Sequence, residues 1–341
     1  MNGESKETIL KKFNKLPWIE KYRPNKINSI LLEENVRNEI NRIIKDKEVK
    51  NIIITGKPGI GKTTTIKCLA KQMYNKYYDQ FVLELNASDD RGIKIEQDII
   101  NFCKILVNVN DEDKDICPKH KLIIFDEADN ITEKAQNIIS KLMGTFKDTT
   151  RFAFTCNTSY NIIESIQSRC NIILRYQRVN NNKIKLRLKD ICDIEKIAYD
   201  DGGIQCICDL AEGDMRSALN ITELVFRKHK IINNDSVSDI SDKPHKDELI
   251  NILNYCNKND YKNSLFYSKE LKKKGYSGID IISGFFNILK NNIILFEDNI
   301  NIIMSEIIHE TLYNISKTSD CNLHLYCCIL KLSNTKFYLK N

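Results

Sequence analysis

The chain has 341 residues, more than one hydrophobic core normally holds, so two or three domains are expected. With 42% hydrophobic and 29% charged residues, the composition is typical of a globular protein, and because no apolar run has membrane-spanning length, no membrane span is expected. The net charge of +6 permits contact with a polyanion without requiring it. The 12 cysteines contain no C-x-x-C pair, which disfavours zinc, and a disulfide framework is not expected in a chain this large without a secretory signal.

Short apolar runs recur in the first half of the chain and predict buried β-strands. Each is rich in Ile, Val, Leu or Phe and too short for a helix, and segments with helical spacing, such as "TEKAQNIISKLM", lie between them. Alternating strands and helices predict an α/β fold with a parallel sheet and right-handed crossovers. The five runs begin at Asn51, Phe81, Lys121, Arg151 and Asn171.

The pattern changes near Val179, beyond which we find no convincing strand. The segments "NNKIKLRLKDICDIEKIA" and "IQCICDLAEGDMRSALNITELVF" have the apolar spacing of amphipathic helices, and the polar stretch "NNDSVSDISDKPHKDE" separates them from a third, helical region. We therefore expect an N-terminal extension (1–15), a nucleotide-binding α/β domain (16–178), a small helical domain (179–238) and a C-terminal helical domain (239–341).

The string "GKPGIGKT" matches the phosphate-binding pattern G-x-x-x-x-G-K-[ST] between a predicted strand and a predicted helix. Its glycines permit positive φ and leave room for a phosphate, which the backbone N–H groups would surround at the helix N-terminus. The lysine would reach the β- and γ-phosphates, and the threonine hydroxyl would face Mg²⁺; a glycine-rich turn without a ligand is the alternative. The residues expected to contact the nucleotide are Gly56, Lys57, Pro58, Gly59, Ile60, Gly61, Lys62, Thr63 and Thr64.

Acidic residues follow the third predicted strand, in "KLIIFDEADN". The carboxyl edge of a parallel sheet carries the ligand site, so Asp126 fits a carboxylate that holds Mg²⁺ together with Thr63, and Glu127 fits the base that activates water. Capping of the next helix is the alternative for Asp126. Asp129 is expected to be a solvated or capping acid. Asn157, after the next strand, fits a contact to the γ-phosphate or the water, or an ordinary turn residue.

In this order, these motifs and the triplet "SRC" resemble an AAA+ ATPase, and more narrowly a replication factor C small subunit of the sliding-clamp loader. The strings that carry the resemblance are "PWIEKYRP", "LELNASDDRGI", "IIFDEADNIT", "IIESIQSRC" and "GDMRSALN". The resemblance covers nearly the whole chain after about residue 15. The segment "DKPHKDELINILNYCNKND" is most similar to the paralogue group numbered 2 in animals.

The resemblance implies further roles. Asn157 takes the sensor 1 position, and Arg216 takes the sensor 2 position, from which an arginine of the helical lid reaches the γ-phosphate. Arg169 is implied to point into the ATP site of an adjacent subunit. Considered alone, each arginine would be a solvated residue. The segment containing Tyr22, Arg23 and Pro24 is implied to lie near the adenine.

DNA contact is also implied, through phosphates rather than bases. Arg91 is the best candidate, with Lys94 and Lys104 as further cations on the following helix. Family members commonly carry more Arg and Lys on that helix, and the departure leaves this chain's own share of DNA binding open. The residues that stand there instead are Gln97, Asp98 and Ile99.

The resemblance implies an ATP- and Mg²⁺-dependent hydrolase subunit of a nuclear, heteropentameric clamp loader, with a C-terminal collar that joins the subunits. Its partners would be the other replication factor C subunits, the sliding clamp PCNA and primer–template DNA, with no membrane. Two alternatives remain: a nucleotide-binding subunit of the loader that hydrolyses little, and another AAA+ DNA-associated ATPase. The intact set Lys62, Thr63, Asp126 and Glu127 argues against the former, and a C-terminal region without a winged-helix pattern argues against the latter.

Overall fold

The computed structural model describes residues 16–87, 93–105, 117–240, 243–290, 296–317 and 321–334. The chain divides into two compact units, Met1–Asn233 and Asn234–Asn341. The first contains a parallel sheet and a small helical domain, and the second is helical. The predicted α/β fold with a helical C-terminal region is therefore confirmed.

A five-stranded sheet organises the first unit, and its neighbouring strands are all parallel. The strands are β1 (Ile52–Thr55), β2 (Val82–Asn86), β3 (Lys121–Asp126), β4 (Thr150–Cys156) and β5 (Ile172–Arg175), in the order β2-β3-β4-β1-β5. All four residues of β1 are buried, which explains the run of isoleucines from Ile52 to Ile54. Because β1 lies between β4 and β5, the loop that leaves β1 emerges at the interior of the carboxyl edge, where α/β sheets bind ligands.

Helices cover both faces of this sheet, and successive residues of β1 supply two separate cores. Ile52 and Ile54 point into one core and Ile53 into the other, as the two-residue period of a strand requires. The sheet is thus fixed from both sides. The helices are α1 (Trp18–Lys21), α2 (Glu34–Asp46), α3 (Lys62–Tyr74), α4 (Tyr78–Phe81), α5 (Ile93–Lys104), α6 (Glu133–Thr145) and α7 (Glu164–Gln167).

The small helical domain contains a feature that we did not predict. Two strands of two residues each, β6 and β7, pair in parallel. The expectation that no strand follows Val179 is therefore wrong, and the reason is that two residues are too short to show an alternating pattern. The elements are α8 (Asn181–Glu195), β6 (Ala198–Tyr199), α9 (Asp201–Ala211), α10 (Met215–His229) and β7 (Ile231–Ile232).

The segment before the sheet is held against this helical domain. The Trp18 ring stacks on Phe226 at 5.7 Å between centroids, and the Trp18 backbone N–H donates to the buried Glu223 carboxylate at 2.9 Å. Glu195, at the end of α8, pairs with Lys21 at 2.5 Å and accepts a hydrogen bond from the Tyr22 hydroxyl. Burial and this bond raise the pKa of Tyr22 well above its usual value. The N-terminal segment therefore takes a fixed position beside the carboxyl edge of the sheet.

The second unit is an all-helical bundle around one apolar core. Leu253, Phe285, Met304 and Ile329 have no exposed surface in that core. No helix among the described residues has the length and apolarity needed to cross a membrane. The helices are α11 (Asn234–Ser238), α12 (Lys246–Asn257), α13 (Tyr261–Lys273), α14 (Gly278–Lys290), α15 (Asp298–Ile315) and α16 (Cys321–Ser333).

Candidate nucleotide-binding site

A cavity of about 340 Å³ opens at the carboxyl edge of the sheet, within the first unit. Its walls come from the phosphate loop, the ends of β3 and β4, the N-terminal segment and the start of α10. The volume lies in the range of small-molecule sites, and the carboxyl edge is where this fold class binds its ligands. Most of the predicted site residues line this one space.

The phosphate loop has the backbone that its glycines predict. Gly56, Gly59 and Gly61 all have positive φ, at 150°, 72° and 94°. Gly61 immediately precedes α3, so the helix begins with free N–H groups facing the loop. The segment Pro58–Thr64 lines the cavity, whereas Gly56 and Lys57 do not. The arrangement is an anion-binding loop at a helix N-terminus.

Lys62 is folded back onto its own loop. Its Nζ donates to Gly56 O at 2.6 Å, to Lys57 O at 2.8 Å and to Asn157 Oδ1 at 3.1 Å. The two predicted residues outside the cavity thus hold the lysine rather than face a ligand. Burial lowers the pKa of the Lys62 ammonium, while the nearby Asp129 and Asp126 carboxylates partly offset that effect. The cation is therefore held close to where phosphates would lie.

Oxygen donors meet between the loop and β3. The Thr63 hydroxyl donates to Asp126 Oδ1 at 2.7 Å, and the Thr155 hydroxyl donates to the same oxygen at 2.5 Å. A hydroxyl and a carboxylate within hydrogen-bonding distance are the hard oxygen ligands that Mg²⁺ prefers. The donor chemistry of Thr63 and Asp126 therefore fits the predicted metal.

Glu127 follows Asp126 but differs in conformation and exposure. Its backbone is left-handed, with φ 53°, and its side chain is exposed at the cavity. Asn130 Nδ2 donates to Glu127 Oε2 at 3.3 Å. A non-glycine residue in this conformation costs about 1–3 kcal/mol, and such strain clusters at functional sites. The turn thus directs a carboxylate at the cavity without burying it.

Asp129 has a different place from the one expected. Instead of being solvated or capping a helix, it lines the cavity, and its Oδ2 accepts the backbone N–H of Asn157 at 3.2 Å. The 3-10 turn Ala128–Asn130 brings it there, and its Oδ1 is buried without a partner in the described structure. Sequence reasoning missed this contact because it joins two strand ends 28 residues apart. Asp129 and Lys62 together fix both the backbone and the amide of Asn157.

The helical domain contributes from the first turn of α10. Asp214 caps the helix, since its Oδ1 accepts the N–H groups of Arg216 at 2.8 Å and Ser217 at 3.0 Å. Arg216, in the same turn, lines the cavity. Tyr22, Arg23 and Pro24 line it as well. The structure thus brings the predicted sensor and N-terminal residues to the phosphate loop.

Of the remaining predicted residues, the structure describes the side chain of Arg169 but not those of Arg91 and Lys94. Arg169 is exposed, three residues before the start of β5, and its Nη1 donates to Ser165 O at 2.7 Å. Because β1 and β5 are parallel, Arg169 lies at the amino edge of the sheet, roughly 16 Å from the phosphate loop at about 3.3 Å per residue. Arg91 lies outside the described residues. The backbone of Lys94 is in α5, but the structure does not describe its side chain.

Gly59→Ala is expected to weaken ATP binding by at least about tenfold. The new Cβ would lie 1.8 Å from Asp214 Oδ1, and φ of 72° disfavours any L side chain by about 1–2 kcal/mol. Calorimetric titration with ATP measures the dissociation constant. Gly144→Ala is the matched control, because its Cβ meets nothing within 4 Å and affinity should stay unchanged. Wild-type affinity in Gly59→Ala would refute the assigned loop geometry.

Comparisons with known proteins agree with this architecture. Residues 52–178 match the family model described as ATPase family associated with various cellular activities (AAA), and residues 244–331 match the replication factor C C-terminal domain. The chain is 42% identical to a probable replication factor C subunit 2 of Dictyostelium discoideum, over 81% of this chain and 80% of that protein. It is 40% identical to replication factor C subunit 4 of Saccharomyces cerevisiae, over 81% and 83%.

Among solved structures, the RuvB Holliday junction branch migration motor of Thermotoga maritima has a similar fold. The TM-score is 0.53, and the match covers 69% of this chain and 79% of that chain. Sequence identity is 16%, so this likeness concerns the fold alone.

Proposed function

The chain belongs to the replication factor C small subunits, within the AAA ATPases, and on this premise we propose that it is an ATP-hydrolysing subunit of a multi-subunit clamp loader. The observation that supports this most is the convergence of Lys62, Thr63, Asp126 and Glu127 on one cavity. Phosphoryl transfer to water needs a phosphate cradle, a metal site and a group that positions water, and this set supplies all three.

Binding rests on the loop and the helical domain. The N–H groups at the start of α3 and the Lys62 ammonium surround the β- and γ-phosphates once Lys62 releases Gly56 O and Lys57 O. The adenine ring lies beside Tyr22, Arg23 and Pro24, and Arg216 of α10 faces the γ-phosphate. Because the phosphate loop belongs to the sheet and Arg216 to the helical domain, the bound nucleotide bridges these two parts. The stacking of Trp18 on Phe226 joins the N-terminal segment to α10.

Hydrolysis rests on the carboxyl edge of the sheet. Thr63 and Asp126 would hold Mg²⁺, which offsets the negative charge of the phosphates. Glu127 accepts a proton from the attacking water as the oxygen bonds to the γ-phosphorus and the bond to ADP breaks. Asn157 orients the water or a γ-phosphate oxygen, and Asp129 holds Asn157 in place through its backbone N–H.

Arg169 is proposed to serve the ATP site of a neighbouring subunit. Its position at the amino edge of the sheet, exposed and remote from its own phosphate loop, supports this role. An arginine supplied in trans stabilises the charge that develops on the transferred phosphoryl group. The function therefore requires assembly, with the helical unit Asn234–Asn341 as the collar that joins subunits.

The finer assignments follow the same premise. We propose a heteropentamer located in the nucleus, acting on the sliding clamp PCNA and on primer–template DNA through its phosphates. Arg91 and Lys94 remain the proposed DNA contacts. On α5, Asp98 adds a negative charge and Gln97 adds no positive one, so other subunits would supply much of the DNA affinity.

The test is ATP hydrolysis by a complex purified through a tag on this chain, with its subunits identified by native mass spectrometry. We expect several different replication factor C subunits and a rate that rises when clamp and primed DNA are added together. A complex containing only copies of this chain, or a rate insensitive to clamp and DNA, would overturn the proposal.

A further inference from the structure

Asn51 joins three strands at the amino edge of the sheet. It precedes β1, its Oδ1 accepts the Phe152 N–H of β4 at 2.9 Å, and its Nδ2 donates to Arg169 O at 3.0 Å. Its own carbonyl oxygen accepts the Asn171 N–H at 3.0 Å, at the entry to β5. One residue thus uses both ends of its amide and its main chain to align β1, β4 and β5.

The Arg169 peptide depends on this alignment. Its N–H donates to Ile166 O at 3.0 Å, which ties it to α7, and its carbonyl oxygen is tied to the sheet by Asn51. Its guanidinium rests on Ser165 O, an exposed contact that a neighbour's phosphate would replace. The side chain can therefore move, whereas the backbone from which it extends is fixed between α7 and the sheet.

We propose that Asn51 is a positioning residue for Arg169, setting the direction in which the arginine leaves this subunit. The inference rests on the proposed role of Arg169 in trans. Catalytic stabilisation of a transferring phosphoryl group depends on geometry, and a displacement of about 1 Å can cost a factor of about 100 in rate. Asn51 lies at the edge of the sheet opposite Gly56–Thr63, so its side chain does not contact the nucleotide bound by this chain.

Asn51→Asp isolates the relevant bond. The aspartate has the same shape and still accepts from Phe152, but it places an oxygen against Arg169 O where a donor had been. In the assembled complex, we expect the kcat for ATP hydrolysis at the neighbouring site to fall at least about tenfold. The KM there and the affinity of this chain's own site for ATP should stay within about twofold, because neither contacts Asn51.

Two further measurements separate positioning from general damage. In an Arg169→Ala background, Asn51→Asp should produce no additional loss, because the side chain that it positions is already gone. Asn137→Asp is the control, since it also removes an amide donor to a carbonyl, Glu133 O, on the exposed face of α6.

Each outcome decides one question. If Arg169→Ala leaves the neighbouring site unaffected, the role in trans fails, whatever Asn51 does. If Arg169→Ala slows that site while Asn51→Asp does not, or if Asn51→Asp slows it equally in the Arg169→Ala background, the positioning role fails. Should Asn51→Asp not assemble, Asn51→Ala, which loses both side-chain bonds without adding charge, is judged by the same results.

Discussion

Replacing Glu127 by glutamine is expected to slow ATP hydrolysis at this chain's own site by at least about 100-fold while ATP still binds. Glutamine keeps the size of the side chain but cannot accept a proton from water, and general-base catalysis is worth about 10²–10⁴. The phosphate loop, Thr63 and Asp126 remain intact, so the dissociation constant for ATP should change by less than about twofold. Because the left-handed backbone of residue 127 is retained, the turn should keep its conformation.

Single-turnover hydrolysis of radiolabelled ATP measures this effect without interference from product release. Glu34→Gln makes the same change at an exposed position on α2 outside the cavity, and its rate should equal that of the wild type. Unchanged hydrolysis in Glu127→Gln would show that another group is the base. It would also favour the alternative in which the chain binds nucleotide as a scaffold.

Replacing Arg169 by alanine is expected to slow hydrolysis at one neighbouring site by about 10³–10⁵, the usual contribution of an arginine supplied in trans. This chain's own affinity for ATP should not change, because Arg169 lies at the amino edge of the sheet and its guanidinium contacts Ser165 O. The fold should also tolerate the change, since the side chain is exposed and the backbone hydrogen bonds of residue 169 are retained.

The measurement for Arg169 is ATP binding by the isolated chain together with hydrolysis by the assembled complex. Arg42→Ala removes an equally charged and exposed side chain from α2 and should leave both unchanged. Loss of ATP binding by isolated Arg169→Ala protein would contradict the assignment, because it would place the arginine in its own site.

Sequence reasoning located the parts of the site that are encoded locally. The glycines of the phosphate loop and the acids after β3 lie within short strings whose spacing is fixed by a strand end or a helix start. The positions of Arg216 and Tyr22 came from family resemblance instead. Their own surroundings would not distinguish them from solvated residues.

The missed residues depend on contacts between distant segments. Asp129 meets Asn157 across 28 residues, and Asn51 meets Arg169 across 118, so no local pattern marks either pair. Asp214 lies against Gly59 only because the helical domain folds back over the phosphate loop. Such contacts follow from the packing of whole elements, which periodicity and spacing do not specify.

The central claim is that this chain serves two ATP sites, its own through Glu127 and a neighbour's through Arg169. The most direct test compares clamp- and DNA-stimulated hydrolysis by complexes that contain Glu127→Gln, Arg169→Ala or both changes. If the two residues act at different sites, the double variant should hydrolyse ATP more slowly than either single variant. A double variant no slower than the slower single variant would place both residues at one site and contradict the claim.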